Sequence, residues 1–185
     1  MKKLFHICID RIPLWFGIAS TLLFIFFIVS ILPSQSNLAE SFGLTESIDT
    51  SWFYNSSQLY RIAESYGTIG RQFYIQQRWT FDLIWPLVYF SFIFSTSSLL
   101  YQSIGLSHHN RWILSFTWFA ILFDYLENTM VSIVMFRYPS TTIIIADFAG
   151  TATSLKWIFL GLGFFVLTLL IIVKLIQIGL RLTRK

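Results

Sequence analysis

The chain has 185 residues, of which 55% are hydrophobic, 19% aromatic and only 12% charged, with a mean hydropathy of +0.66; a soluble domain carries about 25% charged residues. The net charge of +4 would suit a nucleic-acid binder. Here the basic residues flank apolar spans, so the charge reads as membrane topology and excludes nucleic acid as a partner. A single cysteine, Cys8, excludes an internal disulfide and dithiol chemistry, and His6, His108 and His109 all lie outside the spans, so no cofactor or metal is expected.

Four apolar spans follow in chain order, at about residues 13–32, 79–100, 112–136 and 151–173. Each has the roughly 20 residues that cross a hydrocarbon layer of about 30 Å. Each must be helical, because lipid offers no partner to an unpaired backbone group. The fold expected is therefore all-α, one membrane domain over residues 1–185: an integral four-helix bundle. The first span could be taken for a signal peptide, with "SQS" at Ser34 to Ser36 as its cleavage site. A signal's apolar region runs about 7–15 residues, and this one is longer, which favours a retained helix.

Residues 33–78 form one long loop on the far side of the first span. Inside it, "NSSQLYRIAESYG" predicts a short extracytoplasmic helix. Asn55 or Ser56 would cap it, Gly67 would stop it, and Leu59, Ile62 and Ala63 would line one face. "RQFYIQQRW" would begin the second membrane helix above the bilayer. Pro86 falls inside that helix and should kink it. "RYPSTTIIIADFAG" reads as the second outer connection, with Gly150 just before the last helix.

Lys and Arg near the span ends set the orientation. One side holds Lys2, Lys3, Arg11, Arg111, Lys174, Arg181, Arg184 and Lys185; the other holds Arg61, Arg71, Arg78, Arg137 and Lys156. The excess places both termini in the cytoplasm of a multi-pass cell-membrane protein, an inner membrane in a bacterium.

Polar residues inside the spans mark the candidate site. Helical spacing puts Arg78, Asp82, Pro86 and Tyr89 on one stripe of the second span, Asp124, Glu127 and Asn128 on one of the third, and Thr153, Lys156 and Trp157 on one of the fourth. Asp82 and Lys156 lie in the outer third of their spans. Asp124 is near the midplane, with Glu127 about 4.5 Å further out at 1.5 Å per residue. A charge at the membrane centre costs at least about 2.5–3.5 kcal/mol. These groups should therefore face inward and pair, with Lys156 near Asp82 or Glu127. Three acids against one or two bases leave a surplus carboxyl, suited to proton exchange or to a neutral hydrogen bond. The cluster is expected either to fix helix register or to bind a ligand or proton.

"GTIGRQFYIQQRWTFDLIWPLVY", "FDYLEN", "YP" and "TATSLKW" together resemble a family of small bacterial four-span membrane proteins of uncharacterised function. The matching positions are Gly70, Arg71, Tyr74, Asp82, Pro86, Tyr89, Asp124, Glu127, Asn128, Pro139, Thr153 and Lys156. The resemblance covers most of the chain after residue 50. It implies the four-span fold and the polar cluster, and supplies no activity.

Three functions compete. The first is binding or transport of a small molecule or lipid at the buried cluster. The second is an intramembrane enzyme acting on a lipid substrate, with Glu127 or Asp82 as acid or base. The third is a non-catalytic accessory or immunity-type subunit bound to a larger membrane-protein partner. A pocket that reaches Asp82, Glu127 and Lys156 and opens to lipid would favour the first two.

Overall fold

The computed structural model describes residues 11–44, 48 and 51–183. Cys8, His6 and the terminal bases Lys2, Lys3, Arg184 and Lys185 lie outside the described residues. Within them all regular structure is helical. Four helical stretches are long and apolar enough to cross a membrane: Leu14–Ser41, Gly67–Ile104, His109–Arg137 and Ile143–Leu182.

The first helix, α1 (Leu14–Ser41), is longer than the expected 13–32. Pro33 does not end it. A proline lacks the N–H its turn needs, and its ring crowds the carbonyl four residues back, here Val29. The backbone answers with a π-helical turn over Phe27–Ile31, after which α-helix resumes over Leu32–Ser41. Widening one turn absorbs the clash without a break. "SQS" thus lies inside a helix, and the loop expected to begin at residue 33 begins after Ser41.

The segment that follows α1, termed the outer segment after the expected topology, carries two short helices, α2 (Ser56–Ser65) and α3 (Gly67–Arg78). Helix α2 matches the expected bounds. The Asn55 side chain accepts from the Gln58 N–H at 2.9 Å, and Gln58 Oε1 accepts from the Asn55 N–H at 3.0 Å, a reciprocal cap that satisfies two otherwise orphaned donors. Gly67 has φ +59, a left-handed value at which glycine pays no Cβ penalty, and the chain turns there into α3. Leu59, Ile62 and Ala63 are buried, as their spacing predicts, against Val131 and Val134 of the third span and Ala146 and Ala149 of the fourth.

Helix α4 (Phe81–Ile104) does not run on from α3; the chain breaks at Trp79 and Thr80. Pro86 lies within it and withdraws the donor that the Asp82 carbonyl would have met. At the neighbouring carbonyl, Leu83 O, the Tyr125 hydroxyl donates at 2.8 Å. The last carbonyls of α4 also gain outside donors: Lys174 Nζ reaches Ser103 O at 2.9 Å and Gln177 Nε2 reaches Ile104 O at 3.3 Å.

A 3-10 turn (His108–Ser115) leads into α5 (Phe116–Arg137), and five residues later α6 (Ile143–Leu182) begins. The fourth helix starts eight residues before the expected position 151. Gly150 does not mark its start but serves as a point of close approach within it. Ala146, Ala149 and Gly150 form a small-residue face that receives the outer segment, and Asp147 Oδ1 accepts from the Ser56 N–H at 2.7 Å.

Small and hydroxylated residues bring the long helices together. On α1, Gly17 lies under Leu99 of α4, and Ser20 and Thr21 meet Ser95 and Thr96 at 2.8 and 3.4 Å. On α6, a Cβ at Gly163 would stand 2.9 Å from Thr117 Cγ2 of α5. Trp79 and Trp112 remain exposed at span ends, where an amphipathic ring suits a membrane–water boundary.

Candidate functional site

Of the residues on those stripes, Arg78, Asp82, Tyr89, Asp124, Glu127, Asn128, Thr153 and Lys156 are at most 9% exposed, and these eight meet in two groups. In the first, α3 ends with Arg78 one turn before Asp82 near the start of α4. Arg78 Nη1 pairs with Asp82 Oδ2 at 3.1 Å and donates to Asn128 Oδ1 at 3.3 Å. Its guanidinium stands 4.3 Å from the centre of the Tyr74 ring. Asn128 Nδ2 in turn donates to Asp124 Oδ1 at 3.2 Å, one helical turn away, and the Tyr89 hydroxyl donates to Asp124 Oδ2 at 2.9 Å. Three helices, α3, α4 and α5, therefore contribute to one chain of hydrogen bonds, with each amide and carboxyl oriented by its neighbour.

The second group is centred on Glu127, 1% exposed, whose Oε2 pairs directly with Lys156 Nζ. The expected Lys156–Glu127 pairing is thus present. The other oxygen, Oε1, lies 3.5 Å from the Tyr54 hydroxyl, and the Thr153 hydroxyl lies 3.1 Å from that same hydroxyl. Tyr54 is absent from the predicted set, because it sits in the outer loop, far in sequence from any span. It reaches the bundle core because Gly150 has no side chain. A Cβ there would fall 1.8 Å from the Tyr54 carbonyl oxygen. The clue in the sequence was that glycine.

Beside these groups is a cleft of about 590 Å³, within the range of about 300–1,000 Å³ typical of small-molecule sites. Arg78, Asp82, Tyr89, Asp124 and Lys156 line its polar wall; Glu127, Asn128 and Thr153 stand behind it. The opposite wall is the outer half of α1, including Ile28, Leu32 and Ser36. No residue of Leu32–Ser41 is buried. That half-helix is held by a Gln77–Gln35 side-chain hydrogen bond at 3.3 Å and by Phe42 stacked on Phe73 at 4.1 Å. Trp85 lines the cleft, and behind it Phe24 of α1 lies 5.8 Å from Trp85 and 6.2 Å from Phe164 of α6.

Within these two groups three buried carboxyls therefore stand with two cations, Arg78 and Lys156, each paired with a carboxyl. Such an arrangement can hold helices in register, and its exposed wall can receive a polar group that has left water. No family model matches the chain, and neither does any curated protein or any solved structure.

Proposed function

We propose that this chain is a multi-pass membrane protein that binds an amphiphile, a lipid or lipid-like small molecule, in the cleft between α1 and the bundle. One observation carries the reading: a cleft of ligand size has an ionisable wall on one side and, on the other, an unburied half-helix whose Leu32, Pro33 and Ala39 line it together with Ile28, beside the polar Gln35, Ser36 and Glu40. Both halves of an amphiphile then find a matching surface. Simple register-fixing would need the buried pairs but no cleft beside them. The enzyme reading is weaker for Glu127, which does not line the cleft. The likeness to small bacterial four-span proteins belongs to the same proposal, since Tyr74, Asp82, Tyr89, Asp124 and Lys156 all line the cleft.

Native mass spectrometry of the protein, extracted in mild detergent, tests this. Wild type should retain a membrane amphiphile. Ser36→Trp, which fills the cleft from an exposed position that lines it, should fold and lose it. Equal retention by both, or none by wild type, would overturn the reading.

The cytoplasmic placement of both termini in a cell membrane rests on the basic-residue excess and belongs to the same proposal. In a Cys8→Ser background, Ser36→Cys should react with a membrane-impermeant thiol reagent added outside intact cells, and Ser107→Cys should not. The reverse pattern would invert the topology.

A further inference from the structure

We propose that the headgroup received by the cleft carries a protonated or quaternary amine. The inference rests on the cleft reading above and deepens it. Glu40, Asp82 and Asp124 line the cleft as carboxyls, and Arg78 and Lys156 line it as cations. Both cations are already committed. Arg78 holds Asp82, Asn128 and the face of Tyr74, and Lys156 holds Glu127. An anionic headgroup would have to strip one of these ion pairs to gain a cation, and would stay beside the remaining carboxyls while doing so. That exposes a buried carboxyl without its partner, the costly way to open such a pair.

A cationic headgroup meets the opposite situation. Its ammonium group places positive charge beside carboxyls that outnumber the cations of the wall, and it breaks no ion pair. The remaining lining is suited to it as well. Tyr66, Phe81, Trp85, Tyr89 and Trp157 border the same space, and aromatic faces attract ammonium groups that have shed water. Arg78 over Tyr74 and Lys156 at 5.5 Å from the Trp157 ring centre show the chain already using that attraction here. The Trp157 indole N–H, buried in this wall, has no acceptor among the described residues. An amine-headed lipid brings ester and phosphate oxygens next to its amine, whereas a bare inorganic cation brings none. Ile28, Leu32 and Leu160 would then take the first methylenes of the chain.

Full-length protein reconstituted in vesicles of equal phosphatidylethanolamine and phosphatidylglycerol, then analysed by native mass spectrometry, tests the headgroup. Wild type should retain the amine lipid over the glycerol lipid by about ten-fold, the ratio that one added charge-aromatic contact provides. Asp124→Asn should keep the bound lipid and lose most of the preference. Glu40→Gln, at an exposed position that folding does not depend on, should reduce the preference part of the way, so the inference does not hang on a buried variant. Equal retention of the two lipids, or a preference for phosphatidylglycerol, overturns the amine while leaving the cleft reading intact. Retention of neither overturns both.

Discussion

Lys156→Met lowers the unfolding free energy by about 3–5 kcal/mol, the range for removing one partner of a buried ion pair. Glu127 is 1% exposed and its Oε2 faces the lysine. Without the lysine, that carboxylate must either stay charged in a poor solvent or take up a proton, and both outcomes cost the folded state. The double variant Lys156→Met, Glu127→Gln should recover most of the loss. The glutamine keeps its place near the Tyr54 hydroxyl, and replacing both partners of a buried pair by neutral groups is close to neutral. Reversible unfolding in mixed micelles gives both numbers. A double variant no more stable than the single one would show that the pair is not what stabilises this part of the bundle.

Gly150→Val should cost about 1–3 kcal/mol or more, as overpacking of a close contact does. An added Cβ would sit 1.8 Å from the Tyr54 carbonyl oxygen and 2.9 Å from its carbonyl carbon, both backbone atoms that no rotamer change can move aside. The strand of chain around Tyr54 must lift. Its hydroxyl then leaves Glu127 and Thr153, and the Ser154 hydroxyl loses Trp52 O, which it now reaches at 2.8 Å. Residues 51–55 should become sensitive to a protease added to the purified protein, together with a lowered melting temperature. Gly161→Ala is the control, since a Cβ there meets nothing within 4 Å. It should be neutral or stabilise by up to about 1 kcal/mol, the difference in helix propensity. If the two variants behave alike, the close approach at Gly150 does not matter to stability.

Helices and their polar stripes could be read from the sequence because period and hydropathy are local properties. The cap at Asn55, the buried face of α2 and the pairing of Lys156 with Glu127 all follow from spacing and from the cost of an unpaired charge in an apolar core. What escaped depended on partners distant in the chain. Pro33 signals an end in isolation, yet a widened turn behind it carries α1 onward. Gly150 resembles a breaker, yet it is the eighth residue of α6, where the absence of a Cβ is what Tyr54 requires. Tyr54 itself carries no periodic signal. The cleft was out of reach too, since it exists through the outer half of α1 standing apart from the bundle, and no window of residues encodes that separation.

The placement of Glu127 and Lys156 on α5 and α6, helices joined by only residues 138–142, bears on how the chain is made. In a membrane-inserted chain, α5 emerging alone would bring two carboxyls into lipid at about 2.5–3.5 kcal/mol each, with no cation of its own helix beside them. The lysine that relieves Glu127 is synthesised twenty-nine residues later. The two helices should therefore leave the insertion machinery as a hairpin, with the ion pair closing between them before either is released to lipid. Tyr54, threaded earlier to the far side, would then find its seat against Gly150 only once that hairpin has arrived.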